Sequence, residues 1–212
     1  MKNIFTIVLI HISLIINAQQ LYTEKVIKVA DSVMLSNTNE NLYRLFDISE
    51  GSYYKYIKSN NRLSSGKFLD KRKLNRNTTE IWVLYHFAYP KVEGIHGGVW
   101  VKLNNKLCLI EKLDLSFIPS FLWTNDTCNF ISKQSALKIG IGLFQKSGIE
   151  INEPILEYNE SFKVYTYLIM NKLTKTKNQF GKDAGQTEVV RIDALNGKLL
   201  ERYEGSYGVI IR

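Results

Sequence analysis

Two stretches of this sequence have the pattern of a β-hairpin, and their positions set narrow limits on the fold. The stretches "WVKLNNKLCLIE" (100–111) and "VVRIDALNGKLLER" (189–202) place strand-forming residues on both sides of an Asn-Asn or Asn-Gly turn. Such turns accept the positive φ angles that a tight hairpin needs. Each hairpin follows a segment with helical periodicity, 21–35 and 131–148, so the chain passes twice through a helix and then antiparallel strands. This order predicts an α+β fold made of two copies of one unit, with a single larger sheet as the alternative.

Both helical segments carry signals for where a helix begins or ends. Apolar residues recur at helical spacing in 21–35, and Thr23 is predicted to be the N-cap of this first helix. In 131–148, Ser132 is predicted to be the N-cap, and Gly148 is predicted to end the helix in the left-handed conformation. Each helix is therefore expected to bury an apolar stripe against antiparallel strands.

A basic segment precedes the strongest predicted strand, "TEIWVLYHFAYP" (79–90), whose aromatic residues are expected in the core. Residues 55–76 contain eight Lys or Arg and one Asp, and they lack a consistent hydrophobic period, which predicts an exposed loop. Such a cluster suits phosphates or an acidic protein or peptide as partner, although a merely solvated loop has the same composition. The candidate partner-binding residues are Lys67, Lys71, Arg72, Lys73 and Arg76.

The first 18 residues have the composition of a signal peptide. Lys2 precedes an almost continuous apolar run from Ile4 to Ile16, and Ala18 offers a small residue for cleavage. The run would span about 20 Å as a helix, less than a bilayer core of about 30 Å. An uncleaved anchor or a buried helix is the alternative. We predict an exported protein, periplasmic or secreted, with no membrane span and no nucleic acid partner.

Cleavage would leave 212 − 18 = 194 residues and, without Lys2, a net charge of +7 instead of +8. This length suffices for two small domains, predicted here as 19–125 and 126–212. Two cysteines, Cys108 and Cys128, lie close to the predicted boundary. In an oxidising compartment an even pair favours one disulfide, and two buried free thiols are the alternative.

Few residues of the exported chain have a pattern that points to catalysis. Its two histidines, His86 and His96, do not lie in an H-E-x-x-H motif, and no G-x-S-x-G motif or phosphate loop is present. His96 lies in "GIHGG", whose glycines suit a hairpin entry or a close approach of the backbone to a ligand. The sequence therefore predicts no catalytic residue, no metal and no cofactor, and a hydrolase using His96 with a nearby carboxylate is the alternative.

The second half resembles the PepSY family. In that family a helix that opens I-S-x-x-x-A is followed by strands that end in V-D-A-x-T-G-K-V-L. Ile131, Ser132 and Ala136 match the helix start, and "IDALNGKLL" (192–200) matches the hairpin, with Asn196 in the usual Thr place. The resemblance implies a cystatin-like fold, a helix wrapped by a curved antiparallel sheet. It also implies roles in propeptides, peptidase inhibition and binding in the cell envelope.

The first half, from Trp82 to Lys112, is also similar to small immunity proteins with the NTF2 fold, which carry a Trp-bearing strand and a Gly-Gly entry to the next strand. Together the resemblances imply two cystatin-like units and a non-enzymatic binding protein. Its predicted binding surface is the concave face of the sheet together with the basic segment. Neutralisation of a toxin is the alternative that the NTF2 resemblance implies.

Overall fold

The computed structural model describes residues 21–208, so the predicted signal peptide lies outside the described residues. This part of the chain is α+β, with four helices and two antiparallel sheets. The helices are α1 (Thr23–Asn37), α2 (Glu40–Tyr43), α3 (Ser120–Thr124) and α4 (Lys133–Leu143). None of these helices is long and apolar enough to cross a membrane.

The first sheet contains five strands: β1 (Phe46–Ile48), β2 (Tyr53–Ile57), β3 (Leu63–Lys67), β4 (Thr78–Ala88) and β5 (His96–Asn104). The predicted strand β4 is confirmed and lies at the centre, with β5 along one edge and β1 and β2 along the other. Its alternate residues Ile81, Val83, Tyr85 and Phe87 are buried and face the core, as the period of two in a strand requires. Helix α1 covers this face.

The second sheet contains six strands: β6 (Glu150–Ile151), β7 (Ile155–Asn159), β8 (Val164–Lys172), β9 (Thr176–Lys177), β10 (Asp183–Asp193) and β11 (Leu199–Tyr207). Strands β7, β8, β10 and β11 pair in chain order, and α4 packs across β8 and β10. Gly140 lets α4 come close to the sheet, because a Cβ atom there would lie 3.0 Å from the Ile169 side chain. Residues 21–208 form two sheets, so the alternative of a single larger sheet is wrong.

The helix ends agree with the sequence only in part. Ser132 is the N-cap of α4, where its hydroxyl accepts a hydrogen bond from the Ser135 N–H, as predicted. Helix α4 ends at Leu143, because Phe144 already has an extended backbone, so the left-handed helix end predicted at Gly148, five residues later, is wrong. The N-cap of α1 is Tyr22, so the prediction for Thr23 is wrong. The Thr23 hydroxyl instead donates to the Phe68 carbonyl oxygen at 3.2 Å and to that of Lys71.

The two predicted hairpins have different outcomes. The terminal hairpin is confirmed as β10 and β11, and Asp193 Oδ1 accepts hydrogen bonds from the N–H groups of Leu195 and Asn196 at its turn. The prediction that 100–111 forms a hairpin of two strands is wrong, because only its first part belongs to a strand, β5. After Asn104 only a single bridge forms, between Leu103 and Leu109. Leu107 has φ of 64° in this turn, and no strand follows it before α3.

The two sheets share one continuous hydrophobic core. The segment between them supplies the link, since the Phe117 ring lies 5.6 Å from the Phe87 ring and its carbonyl oxygen accepts a 2.8 Å hydrogen bond from the Tyr165 hydroxyl. The predicted boundary after residue 125 lies within this linking segment, between the last strand of one sheet and the first of the other.

Candidate functional site

The basic segment 55–76 is more regular than a loop. It includes the end of β2 and all of β3, whose residues pair from Tyr53 with Lys67 to Ile57 with Leu63. The loop prediction is wrong for this part, because β3 is held by backbone hydrogen bonds and "LSSGK" has almost no apolar period to reveal it. Residues 68–77 are irregular, as expected.

Strand β3 separates the five predicted binding residues into two groups. Lys67, Lys71, Arg72 and Lys73 lie at the end of β3 nearest the start of α1, and we call these four residues the helix-end cluster. Arg76 belongs to the opposite end, because its neighbour Asn77 exchanges hydrogen bonds with Ile57. The structure therefore brings four of the five cations together.

Buried anchors hold the helix-end cluster in place. Phe68 and Leu74 are buried on either side of Lys71, Arg72 and Lys73. The Leu74 N–H donates to the Leu21 carbonyl oxygen at 3.0 Å, and the Thr23 N–H donates to that of Arg72 at 3.2 Å. Because this short segment is fixed to the start of α1 and to Leu21 just before it, the charged side chains of 71–73 point away from the core and are exposed.

The electrostatics of the helix-end cluster favour an anionic partner. Among residues 21–208, none of its four side chains forms an ion pair. Lys71 Nζ lies 5.7 Å from the centre of the Tyr54 ring, and Lys73 Nζ lies 5.3 Å from that of Tyr22. Arg72 borders a shallow cavity with the first residues of α1. The positive end of the helix dipole adds to the potential of this surface.

The face of each sheet that was expected to bind a partner is already occupied, since α1 and α4 cover it.

On the opposite face of the first sheet, Tyr53, Trp82 and Trp100 form a half-buried cluster with ring centres 5.4–5.8 Å apart. Trp82, like the other aromatic residues of 79–90, was expected in the core, and it is half-buried on this face. Lys55 and Lys102 each lie 4.2 Å from the Trp82 ring, and carboxylates neutralise both lysines. Because side chains alternate between the two faces of a sheet, the sequence of β4 and β5 predicts that Trp82 and Trp100 share one face. It does not predict which of the two faces contacts solvent.

His96 lies at the seam between the sheets. It lines a cleft with Glu93, Lys133 and Glu153, which supplies the carboxylates that the hydrolase alternative needs. Lys133 Nζ lies 2.6 Å from Glu93 Oε2, and this hydrogen bond lowers the pKa of Glu93. A carboxylate held in its ionised form by a lysine is poorly suited to accept a proton from a nucleophile. His86 is exposed on β4.

The structure does not bring together the two cysteines of the predicted disulfide. Both are free thiols, Cys108 exposed and Cys128 partly buried. The Cys108 N–H donates a hydrogen bond to the Asn104 side chain at one end of β5. The ring of Phe117 packs on Gly97 at the other end of β5. Seven residues of strand separate Gly97 from Asn104, a distance of about 23 Å. Cys128 lies near that second end: the ring of Phe130, two residues later, is 5.6 Å from the Phe121 ring, which contacts Tyr89 beside Ile95. A disulfide needs Cα atoms within about 7 Å.

Comparisons with known proteins leave the site as the basis for assigning function. No protein-family model, no curated protein and no solved structure matches the chain. The resemblances to PepSY and NTF2-fold proteins therefore stay predictions. Within the described part of the chain, no three His, Cys, Asp or Glu side chains converge in a way that could hold a metal ion.

Proposed function

We propose that this chain is an exported, non-enzymatic binding protein that holds an acidic protein or peptide of the cell envelope on the helix-end cluster. The observation that supports the proposal is the group of four exposed cations on an anchored segment, without a carboxylate partner among residues 21–208. An unpaired cluster of this kind attracts an acidic surface at long range and forms charge-assisted hydrogen bonds on contact.

The proposal includes two cystatin-like units, each with one helix packed on one antiparallel sheet. The packing of α4 on β8 and β10 supports this interpretation in the second half, where the strands follow one another in chain order. In the first half β3 lies outside β2, so the strand order differs. A peptidase-inhibitor-like role fits a unit whose surface segments, and not a pocket, carry the binding groups.

The test measures binding of a fluorescent polyglutamate peptide to the purified protein. Reversal of three charges, Lys71→Glu with Arg72→Glu and Lys73→Glu, is expected to weaken binding by at least about tenfold, because repulsion replaces attraction at the contact. The matched control reverses three exposed lysines of the second half: Lys138, Lys182 and Lys198.

The control has the same net charge as the test variant, so only the position of the charges differs. If both triple variants lose the same affinity, binding depends on net charge and the proposed site is wrong. Capture of partners from the envelope fraction with the same two variants then identifies which acidic proteins depend on the helix-end cluster.

A further inference from the structure

Two turns lie side by side at one end of the first sheet, and we call this surface the turn end. One turn, Lys58–Arg62, joins β2 to β3, and the other, Asn104–Cys108, follows β5. Both lie beside the start of β4, and Ile57, Lys58 and Asn105 line the same shallow depression. The helix-end cluster lies at the other end of β3, so the turn end is a separate surface.

Aliphatic side chains are unusually exposed at the turn end. Leu63 is 66% exposed, the highest value among the exposed large apolar side chains of the described residues. Its cross-strand partner Ile57 is 40% exposed. Ile110, which follows the second turn, is 50% exposed. A cross-strand pair at the tip of a hairpin has no core to enter, so these side chains contact solvent unless another surface covers them.

Cations without partners surround these aliphatic side chains. Lys58, Arg62, Arg76 and Lys106 are exposed, and none of them forms an ion pair among residues 21–208. The stretches 56–69 and 104–110 contain no Asp or Glu. Lys58 and Arg76 also border the depression, whose remaining lining includes the hydroxyl and amide side chains of Ser59, Asn61 and Asn77. This combination of donors fits a phosphate group.

We propose that the turn end docks on an anionic phospholipid bilayer. Lys58, Arg62, Arg76 and Lys106 bind headgroup phosphates, while Leu63, Ile57 and Ile110 enter the boundary between headgroups and acyl chains. The two attractions act together, because neither a few cations nor a few aliphatic groups alone give stable attachment to a membrane. The cations and the aliphatic groups meet on two adjacent turns, a shape that contacts a flat surface at several points.

Sedimentation with vesicles tests the proposal. The protein, purified from cells that express the full chain, is mixed with vesicles of phosphatidylcholine alone or of equal parts phosphatidylcholine and phosphatidylglycerol. We expect binding to the anionic vesicles only, and loss of that binding at high salt. Exchange of Lys58, Arg62 and Lys106 for Gln is expected to weaken binding on the order of a hundredfold, since each cation near an anionic surface contributes about fivefold.

A second variant separates insertion from simple attraction. Leu63→Ser is expected to weaken binding about tenfold, because a leucine side chain is no longer removed from water. The matched controls are Phe180→Ser, at a side chain 56% exposed in the second half, and exchange of Lys138, Lys182 and Lys198 for Gln. Equal losses in the variants and their controls would overturn the proposal. Full binding by Leu63→Ser would also overturn it, since it would leave only electrostatic attraction.

Discussion

A buried charge network in the second half of the molecule contrasts with a run of cations, 58–76, in the first half that are unpaired among residues 21–208. In the second half, Arg191 is buried between Glu157 and Glu201, and the buried carboxylate of Glu188 accepts hydrogen bonds from two backbone N–H groups after α4. In the first half, the cations of 58–76 point into solvent without carboxylate partners among the described residues. Removing one member of a buried charge pair is destabilising, because the other charge is left buried without a partner, whereas exposed unpaired charges are available to a partner. We therefore expect a partner to contact the first half and expect the buried charges of the second half to affect stability.

The largest expected effect is on the buried guanidinium group. Arg191 Nη1 donates to Glu157 at 2.5 Å and to the Thr166 hydroxyl at 3.0 Å. We expect Arg191→Ala to lower the free energy of unfolding by about 2–3 kcal/mol, because it leaves a half-buried carboxylate and a buried hydroxyl without their donor. Arg72→Ala, the matched change in the first half, should alter stability by less than about 0.5 kcal/mol. Urea denaturation of both variants measures the two values, and equal losses would remove the contrast between the halves.

In each half, the hydroxyl of a tyrosine on a central strand donates a hydrogen bond to a residue in or next to the helix. The acceptor is a charged carboxylate in the first half and an uncharged carbonyl oxygen in the second. The Tyr85 hydroxyl donates to Asp31 of α1 at 2.6 Å, whereas the Tyr167 hydroxyl donates to the carbonyl oxygen of Ile131, just before α4, at 2.9 Å. Burial and the Asp31 carboxylate raise the pKa of Tyr85. We expect Tyr85→Phe to cost about 2 kcal/mol and Tyr167→Phe about 1 kcal/mol, because hydrogen bonds to charged groups contribute more. Thermal unfolding of the two variants decides the order, and the reverse order would contradict it.

The sequence predicted those features whose partners lie within a few residues. Ser132 bonds to Ser135, and Asp193 bonds to Leu195 and Asn196, so both signals are visible in a short window. Thr23 looked like a cap of the same kind, but its partners are Phe68 and Lys71, more than forty residues away. Nothing near Thr23 in the sequence indicates that segment. The fold class was therefore predictable, while the attachment of the basic segment was not.

The candidate site shows the same limit. Composition alone indicated that Lys67, Lys71, Arg72, Lys73 and Arg76 would be exposed and basic. It did not indicate that β3 would place Arg76 with the turn end and leave the other four beside α1, because "LSSGK" has no strand periodicity. The sequence likewise did not indicate that Leu63 would be exposed. Its exposure depends on its pairing with Ile57 at the tip of the hairpin of β2 and β3.

A smaller effect is expected from the hydroxyls that begin the two long helices. Thr23→Val removes a buried hydroxyl that donates hydrogen bonds from α1 to the carbonyl oxygens of Phe68 and Lys71. Ser132→Ala removes the exposed hydroxyl that caps α4. Each change should cost about 1 kcal/mol. Their local consequences differ, because only Thr23→Val loosens the segment that carries the helix-end cluster. Hydrogen exchange of residues 68–74 should rise in that variant and stay unchanged in Ser132→Ala, which serves as its control.

The smallest expected effect concerns an exposed ion pair network in the second half, and pH gives it a distinct sign. Hydrogen bonds from Lys177 and Lys175 lower the pKa of Asp183 to about 2, from an ordinary value of 3.8. Because the folded pKa is below the unfolded one, the pairs stabilise the fold above about pH 4, and that contribution is lost as the pH falls toward 2. The difference in melting temperature between the original protein and Asp183→Asn should therefore be present at neutral pH, shrink as the pH falls below 4, and vanish below pH 2. Arg72→Gln in the first half has no paired carboxylate to protonate, so its difference should stay constant over the same range, and a parallel loss there would show that the exposed cations are paired after all.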